Sequence, residues 1–431
     1  MKLGLISLGC AKNKIDSELF LGLASRYNMQ LSNLEEADII VINTCGFIES
    51  AKQESIETII EMLDYQQNGK IIVVMGCLVE RYFDDLKKEI PEVNYFIPIR
   101  NYLELYKLFQ ELTESKEIKY LDYQDRFIST PKSTAYLRIG DGCNNKCNYC
   151  AIPLIRGSYR SRAFEDIINE AKMLADKGVQ ELTIIAQDTT AYGSDLKDMS
   201  LSKLLSALAE MNKFKWIRVL YLYPDEITEE LIDTFSKYDC LVNYFDIPIQ
   251  HANNKILTSM NRRGTKEYIR HIINTIRNKI PNAIIRTTLI VGFPGETSKD
   301  FNELKEFVEE IKFDHLGVFT YSDEDDTVGF NIYPKVKQST MDKRRDSIML
   351  TQLNINTNRL EKLIGQTFEA IVDHYDEDIN FYALRYYAQA LDDVDGYIYV
   401  KAKYLELGKF YNVTITDFDE YDLIGEIKKE D

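Results

Sequence analysis

Tyr136-Leu-Arg-Ile-Gly-Asp-Gly-Cys143-Asn-Asn-Lys-Cys147-Asn-Tyr149-Cys150-Ala-Ile-Pro153 spaces three cysteines by three and two residues on a loop rich in glycine and asparagine, just after an apolar run at 135–139. Thiolate is a soft ligand that selects zinc, copper(I) or an iron–sulfur cluster, and clusters are held by cysteines on short loops. A structural zinc needs four ligands, but this loop offers three, and the first histidine in the chain is His251. Three ligands on a four-iron cluster leave one iron open to a substrate or cofactor. Three unrelated core thiols are the competing reading.

Upstream, residues 3–8, 38–42 and 71–75 read as strands, and 13–27 (Ile15, Leu19, Leu23) and 47–63 (Ile48, Ile56, Ile59, Ile60) have helical spacing. This βαβαβ alternation predicts a doubly wound parallel sheet. Cys10, Cys45 and Cys77 each fall just past the end of one of those strands. Such ends share one sheet edge, where open α/β sheets bind ligands, so three thiols distant in sequence should converge. They too suit a cluster with an open iron; a redox-active dithiol or three buried thiols are the alternatives. Cys240 is left over and reads as a buried core thiol. Residues 101–134 read as helix passing into a polar connector, Ser129-Thr130-Pro131-Lys132, where a domain boundary is expected.

Downstream, strands are expected near 135–139, 181–186, 217–220, 244–247, 285–290 and 316–318, alternating with helices at 164–177, 200–211, 266–279 and 298–311. Six βα units predict an incomplete TIM-like barrel with functional residues at the carboxyl ends of its strands. The cysteine loop follows the first strand. Gln187, Asp188, Gln250, His251 and Arg286 lie at later strand ends, as does Gly292-Phe-Pro-Gly295-Glu296, where glycine would let backbone approach a ligand. Taken singly, each is more often a capped turn or a satisfied polar group. Beyond 363 the texture changes to short β-rich runs at 368–371, 382–390, 396–402, 410–415 and 421–427, which predicts a five-stranded small barrel. The expected domains are 1–128, 129–362 and 363–431.

The 431-residue chain is 45% hydrophobic and carries a net charge of −17. Residues 366–431 hold sixteen Asp and Glu against six Lys and Arg, a net of −10. That balance argues against broad nucleic-acid binding, which needs basic residues to neutralise phosphate, and favours a basic partner. Seven cysteines without a secretory layout point to metal or catalytic thiols over disulfides. No run is long enough to span a membrane, so a cytoplasmic protein with no membrane partner is expected.

The Cys143, Cys147, Cys150 spacing resembles the radical S-adenosylmethionine (SAM) superfamily. The likeness implies a [4Fe-4S] cluster whose open iron is chelated by SAM, with Tyr149 near the adenine. The whole chain resembles the methylthiotransferases, which join an N-terminal domain with three cluster cysteines, a radical SAM core and a C-terminal TRAM domain. The likeness is carried by Ser7-Leu-Gly-Cys10-Ala-Lys-Asn13, Asn43-Thr-Cys45-Gly, Met75-Gly-Cys77, Cys150-Ala-Ile-Pro-Leu-Ile-Arg156-Gly, Pro248-Ile-Gln-His251 and Tyr421-Asp-Leu-Ile-Gly425.

Within that family, Ala186-Gln-Asp188-Thr-Thr-Ala-Tyr-Gly193, Tyr221-Leu-Tyr-Pro224 and Tyr321-Ser-Asp-Glu324 are nearest the branch that methylthiolates an aspartate of small-subunit ribosomal protein twelve. Asp325-Asp326-Thr327 departs from it, since a glycine is expected before the threonine. The alternatives are the tRNA-modifying branch, a radical SAM enzyme of another reaction type and a non-enzymatic iron–sulfur electron carrier. The resemblance implies two [4Fe-4S] clusters and reductive cleavage of SAM to a 5′-deoxyadenosyl radical that takes hydrogen from the aspartate β-carbon. It also implies sulfur held at the Cys10, Cys45, Cys77 cluster and a second SAM as methyl source. Gln187, Asp188, Arg286 and Gly292 are the expected SAM or substrate contacts. The implied partners are a basic ribosomal protein, a reductase or flavodoxin- or ferredoxin-type electron donor, and a sulfur donor.

Overall fold

In the computed structural model, which describes residues 1–66, 69–392 and 394–428, the chain opens with β1 (Lys2–Ser7), α1 (Ala11–Arg26), β2 (Gln30–Leu31), β3 (Ile39–Thr44), α2 (Glu49–Gln66), β4 (Ile71–Gly76), α3 (Cys77–Glu89), β5 (Tyr95–Pro98) and α4 (Tyr102–Thr113). The strands form one parallel sheet in the order β2-β1-β3-β4-β5. Alternate side chains of a strand face opposite sides, and the sheet uses both. Val41, Val73 and Met75 pack with Phe20 and Leu23 of α1 and Leu108 and Phe109 of α4. Ile40, Ile42, Ile72 and Val74 pack with Ile59 of α2 and Leu78 and Leu86 of α3. Helices thus cover both faces, which is the doubly wound arrangement expected. The helix expected from 101 stops at Thr113, where Glu114 turns left-handed at φ 52°. The stretch that follows is pinned to α1 by side chains: Arg26 donates to the Tyr120 carbonyl, and Glu18 accepts from the Ser129 amide and hydroxyl.

The chain next lays down β6 (Thr134–Arg138), β7 (Gly140–Asp141), α5 (Ile152–Arg156) and β8 (Arg160–Ser161). There follow α6 (Phe164–Asp176), β9 (Glu181–Ile185), α7 (Leu201–Glu210), β10 (Trp216–Val219), α8 (Glu229–Lys237), β11 (Leu241–Asp246), α9 (Asn254–Ser259), α10 (Lys266–Lys279), β12 (Ile284–Val291), α11 (Ser298–Ile311), β13 (His315–Thr320) and α12 (Gln338–Leu360). Strands β14 (Thr367–Asp376), β15 (Phe381–Tyr386), β16 (Ile398–Val400), β17 (Phe410–Asp419) and β18 (Asp422–Ile427) complete the chain. By contacts it divides into two compact units. Met1–Ser129, Gly140–Arg162 and Ser322–Phe330 form the first; Thr130–Ile139, Ala163–Tyr321 and Asn331–Asp431 form the second.

In the second unit β6-β9-β10-β11-β12-β13 form an open, all-parallel sheet, the incomplete barrel expected, and β14-β15-β16-β18-β17 close into the small barrel. A strap of the small barrel, residues 385–395, meets one polar side chain from each of the six strands. Tyr136 donates to Asp392 (2.7 Å), Arg218 to the Tyr387 carbonyl (2.8 Å) and Tyr244 to Asp395 (2.6 Å). Arg385 pairs with Glu181 (2.6 Å), Arg286 with Asp395 (3.4 Å), and His315 bonds the Ala388 carbonyl (2.7 Å). The strand registers put these six side chains on one face of the sheet. Asp373 and Asp395 are therefore buried ties and no part of an acidic surface. Asp393, Glu430 and Asp431, counted in the acidic tail, lie outside the described residues.

Candidate metal centres

In the first unit each expected thiol follows a strand: Cys10 after β1, Cys45 after β3, and Cys77 as the first residue of α3 after β4. These strands are neighbours in the sheet. Backbone close packing draws the thiols together. Gly9 has φ +89°, and a β-carbon there would lie 3.0 Å from Cβ and 3.2 Å from Sγ of Cys45. Gly76, at φ +109°, lets β4 pass so near β3 that a β-carbon would stand 2.5 Å from the Thr44 carbonyl oxygen. Asn13, fully buried in the first turns of α1, donates to the carbonyls of Leu8 (3.2 Å) and Thr44 (2.9 Å) and fixes both loops to one helix.

Cys10 is exposed, Cys45 half-buried and Cys77 buried. Burial pushes the Cys77 thiol up to about 12, against the pull of Arg156, and raises Cys45 as well. A thiol so held gives up its proton to a metal, not to water. Among the described residues the thiols neighbour one another, but no three Cys, His, Asp or Glu side chains close on a common point. The donor set is all sulfur, which fits an iron–sulfur cluster.

The second triad, Cys143, Cys147 and Cys150, also lies in the first unit, each cysteine half-buried. Its loop is closed at both ends. The Cys143 amide donates to the Gly157 carbonyl (3.1 Å), the Cys150 amide to that of Cys147 (3.0 Å), and β7 pairs antiparallel with β8. The Ile152 amide lies 3.5 Å from Cys150 Sγ, the kind of N–H donor a ligating sulfur accepts. Tyr149 is half-buried on the loop. The segment Ser322–Phe330 ties the two triads. Glu324 is buried against Arg81 (2.5 Å) and Lys52 (3.0 Å), Arg81 also donates to the Gly46 carbonyl beside Cys45, and the Gly329 amide donates to the Asn148 carbonyl.

The other expected contacts belong to the second unit. Asp188 is 3% exposed and its Oδ1 accepts from Thr190 Oγ1 (2.6 Å) and the Ala191 amide (3.3 Å), shaping the turn after β9, while Gln187 beside it is half-buried. Arg286 is clamped by Asp246 (2.8 Å) and Asp395. Gly292 has φ +82°, but what approaches it is Met341, 2.2 Å from a built β-carbon, and its amide donates to Glu296 (2.6 Å). His251 is wholly buried, its Nδ1 accepting from the Asn253 amide and its Nε2 3.8 Å from Glu296. Burial lowers His251 to about 3 and raises Glu296 to about 7, the latter opposed by Arg344. Cys240, expected in the core, is half-buried: it ends the turn before β11, where its carbonyl serves the Ile217 amide.

Three family patterns match the chain: the radical SAM superfamily over residues 137–308, uncharacterized protein family UPF0004 over 2–98, and the TRAM domain over 364–427. The chain is 49% identical to the ribosomal protein uS12 methylthiotransferase RimO of Clostridioides difficile (strain 630), covering 100% of this chain and 99% of that one. It is 46% identical to the RimO of Aquifex aeolicus (strain VF5), covering 99% and 97%. The chain belongs to the RimO family. A solved structure of the radical SAM methyltransferase TsrM from Kitasatospora setae shares the fold at 12% identity, with a TM-score of 0.54 over 74% of each chain.

Membership of the RimO family makes this chain a radical SAM transferase that uses SAM and a [4Fe-4S] cluster. Among the described residues no helix is long and apolar enough to cross a membrane. Reading the sequence missed the polar groups that hold the triads: Asn13, Arg156, and Glu324 with Arg81 and Lys52. Asn13, Arg156 and Glu324 stood in quoted motifs, but the pairing of residues so distant in sequence has no local signal.

Proposed function

We propose that this chain adds a methylthio group to the β-carbon of an aspartate in ribosomal protein uS12, using two [4Fe-4S] clusters. Cys143, Cys147 and Cys150 would hold the cluster that binds SAM, and Cys10, Cys45 and Cys77 the cluster that presents sulfur. The observation carrying this reading is a pair of cysteine triads in a chain similar over its full length to RimO proteins. When bound, the clusters and SAM supply one-electron chemistry able to open an unactivated C–H bond, which acid–base catalysis does not reach.

The chain's own residues do the holding. The glycine turns at Gly9 and Gly76 bring loops together, and Cys77 is kept from water. Tyr149 is proposed to pack near adenine. Gln187 and Asp188 are proposed as SAM or substrate contacts, with Asp188 acting through the turn it caps. Given their packing, Arg286 and Gly292 are proposed as supports to the SAM-binding strands. On the small barrel, Glu377, Asp378, Asp417, Asp419, Glu420 and Glu426 are exposed and would face a basic protein. A reductase or flavodoxin- or ferredoxin-type donor would deliver electrons, and a separate donor the sulfur.

The test is anaerobic. Reconstituted protein with SAM, sulfide and a low-potential reductant is offered small ribosomal subunits and tRNA side by side, and both are read by mass spectrometry. A methylthio mass on an aspartyl peptide of uS12 is expected. The mark on tRNA adenosine alone would overturn the reading in favour of the tRNA-modifying branch.

A further inference from the structure

Helix α5 begins just after Cys150 and ends at Arg156, whose side chain is 2% exposed although it bears a full charge. Its Nη2 lies 2.8 Å from Asp16 Oδ2, 2.8 Å from Asn13 Oδ1 and 3.2 Å from Cys77 Sγ, and its Nη1 is 3.7 Å from Asp141. Ile155 and Ala151 of the same segment pack against Cys77, so the helix is seated on that residue. Asn13 is the residue that ties the carbonyls of Leu8 and Thr44. The guanidinium therefore touches one thiol directly and the other two through the side chain that fixes their loops.

A buried cation is retained against several kcal/mol of desolvation only where partners compensate it. Asp16 compensates the charge, but it does not require a donor aimed at sulfur. N–H bonds to sulfur and nearby positive charge stabilise the reduced, more negative state of a cluster, and so raise its reduction potential. All three contacts fall on one nitrogen, Nη2, whose two N–H groups are shared among a carboxylate, an amide oxygen and a sulfur.

We propose that Arg156 is a positioning residue for the Cys10, Cys45, Cys77 site: its guanidinium donates to Cys77 and sets the reduction potential of the cluster held there. This rests on the proposed second cluster. It also gives the loop of the SAM-binding triad a physical handle on the sulfur-presenting one, because α5 joins Cys150 to Arg156.

The test is a redox titration followed by electron paramagnetic resonance. The full-length chain carries Cys143→Ala, Cys147→Ala and Cys150→Ala, leaving the Cys10, Cys45, Cys77 triad, and is compared with the same chain bearing Arg156→Gln. Both are expected to take up iron and sulfide, with the midpoint of the Gln chain moved to more negative potential and its spectrum altered. Equal midpoints in the two loaded proteins overturn the role of Arg156 and leave the cluster assignment standing. No iron in the parent overturns both. If the Gln chain unfolds around the stranded Asp16 or takes up no iron, Arg156→Lys carries the test, since it keeps a cation beside Asp16. A smaller negative shift is then expected, and an unmoved midpoint overturns the proposal.

Discussion

The carboxylate of Glu181, at the start of β9, lies 2.6 Å from the guanidinium of Arg385 on β15, and both side chains are completely buried. Arg218 closes on the same carboxylate at 3.1 Å, and Asp373 pairs with the far side of Arg385. Two carboxylates and two guanidinia thus balance in the buried interface of two barrels, with Glu181 held below its ordinary range by the arginines despite its burial.

Arg385→Met is expected to cost about 3–5 kcal/mol, because it leaves Asp373 buried without a counter-charge. Asp373→Asn in the same chain should return part of the loss, since Glu181 and Arg218 then form a neutral pair. Urea denaturation of the two variants checks the order. A double variant weaker than the single would refute it.

Gly9→Ala places a β-carbon against Cys45 in a left-handed backbone that costs a non-glycine residue about 1 kcal/mol or more. The expected result is a folded protein that loads roughly half its iron and still cleaves SAM to 5′-deoxyadenosine, but transfers no methylthio group. Iron analysis and product chromatography measure these separately. Full iron content would show that the close approach of Gly9 is not needed.

Glu324→Gln takes the carboxylate from buried Arg81, while Lys52 keeps Glu49 at 2.7 Å. A loss of about 3–5 kcal/mol is expected, and proteolysis should cut first within Ser322–Phe330, whose anchor it is. Mass spectrometry of a limited digest locates the cut.

His251 and Glu296 make opposing contributions to stability across pH. His251 titrates near 3 when folded against 6.5 when unfolded, so its contribution is present above 6.5 and lost as pH falls toward 3. Glu296 titrates near 7 against 4.5, so its contribution is present below 4.5 and lost as pH rises toward 7. Between 4.5 and 6.5 the slopes, each about 1.4 kcal/mol per pH unit at most, offset. Glu296→Gln should unmask a protein that weakens on acidification in that window, and His251→Asn one that strengthens. Urea midpoints measured from pH 7 to pH 5 decide. Slopes of the same sign in both variants would refute the pairing.

Much of this architecture was legible because periodicity reported it. All six strands of the open sheet and helices α6, α7, α10 and α11 fall where hydrophobic spacing puts them. The cysteine triads were legible from strand ends and loop spacing. Helix α12 escaped because its inward stripe is Met341, Arg344, Ile348, Gln352, Asn356 and Leu360, half of it polar. Arg344 pairs with Glu296, Gln352 donates to the Phe313 carbonyl and Asn356 to that of Glu420, so hydrogen bonds stand where an apolar stripe would have signalled a helix. Gly292 follows the carboxyl end of β12 as expected, but Arg286 is the third residue of that strand, near its amino end, and the residues that occupy the two positions, Asp395 and Met341, come from distant elements. Acidity in the small barrel did not distinguish exposed Asp417 from buried Asp373, because composition carries no burial.

The strap at 385–395 also has a meaning in time. During synthesis all six strands of the open sheet leave the ribosome before the strap does, and until it arrives Tyr244 and His315 lack the partners described above, while Glu181 and Arg218 have each other but not Arg385 and the Tyr387 carbonyl. The open sheet is thus completed by a segment that follows all six of its strands in the chain. A chain cut short before the strap would carry both cysteine triads and still lack the partners that settle its open sheet.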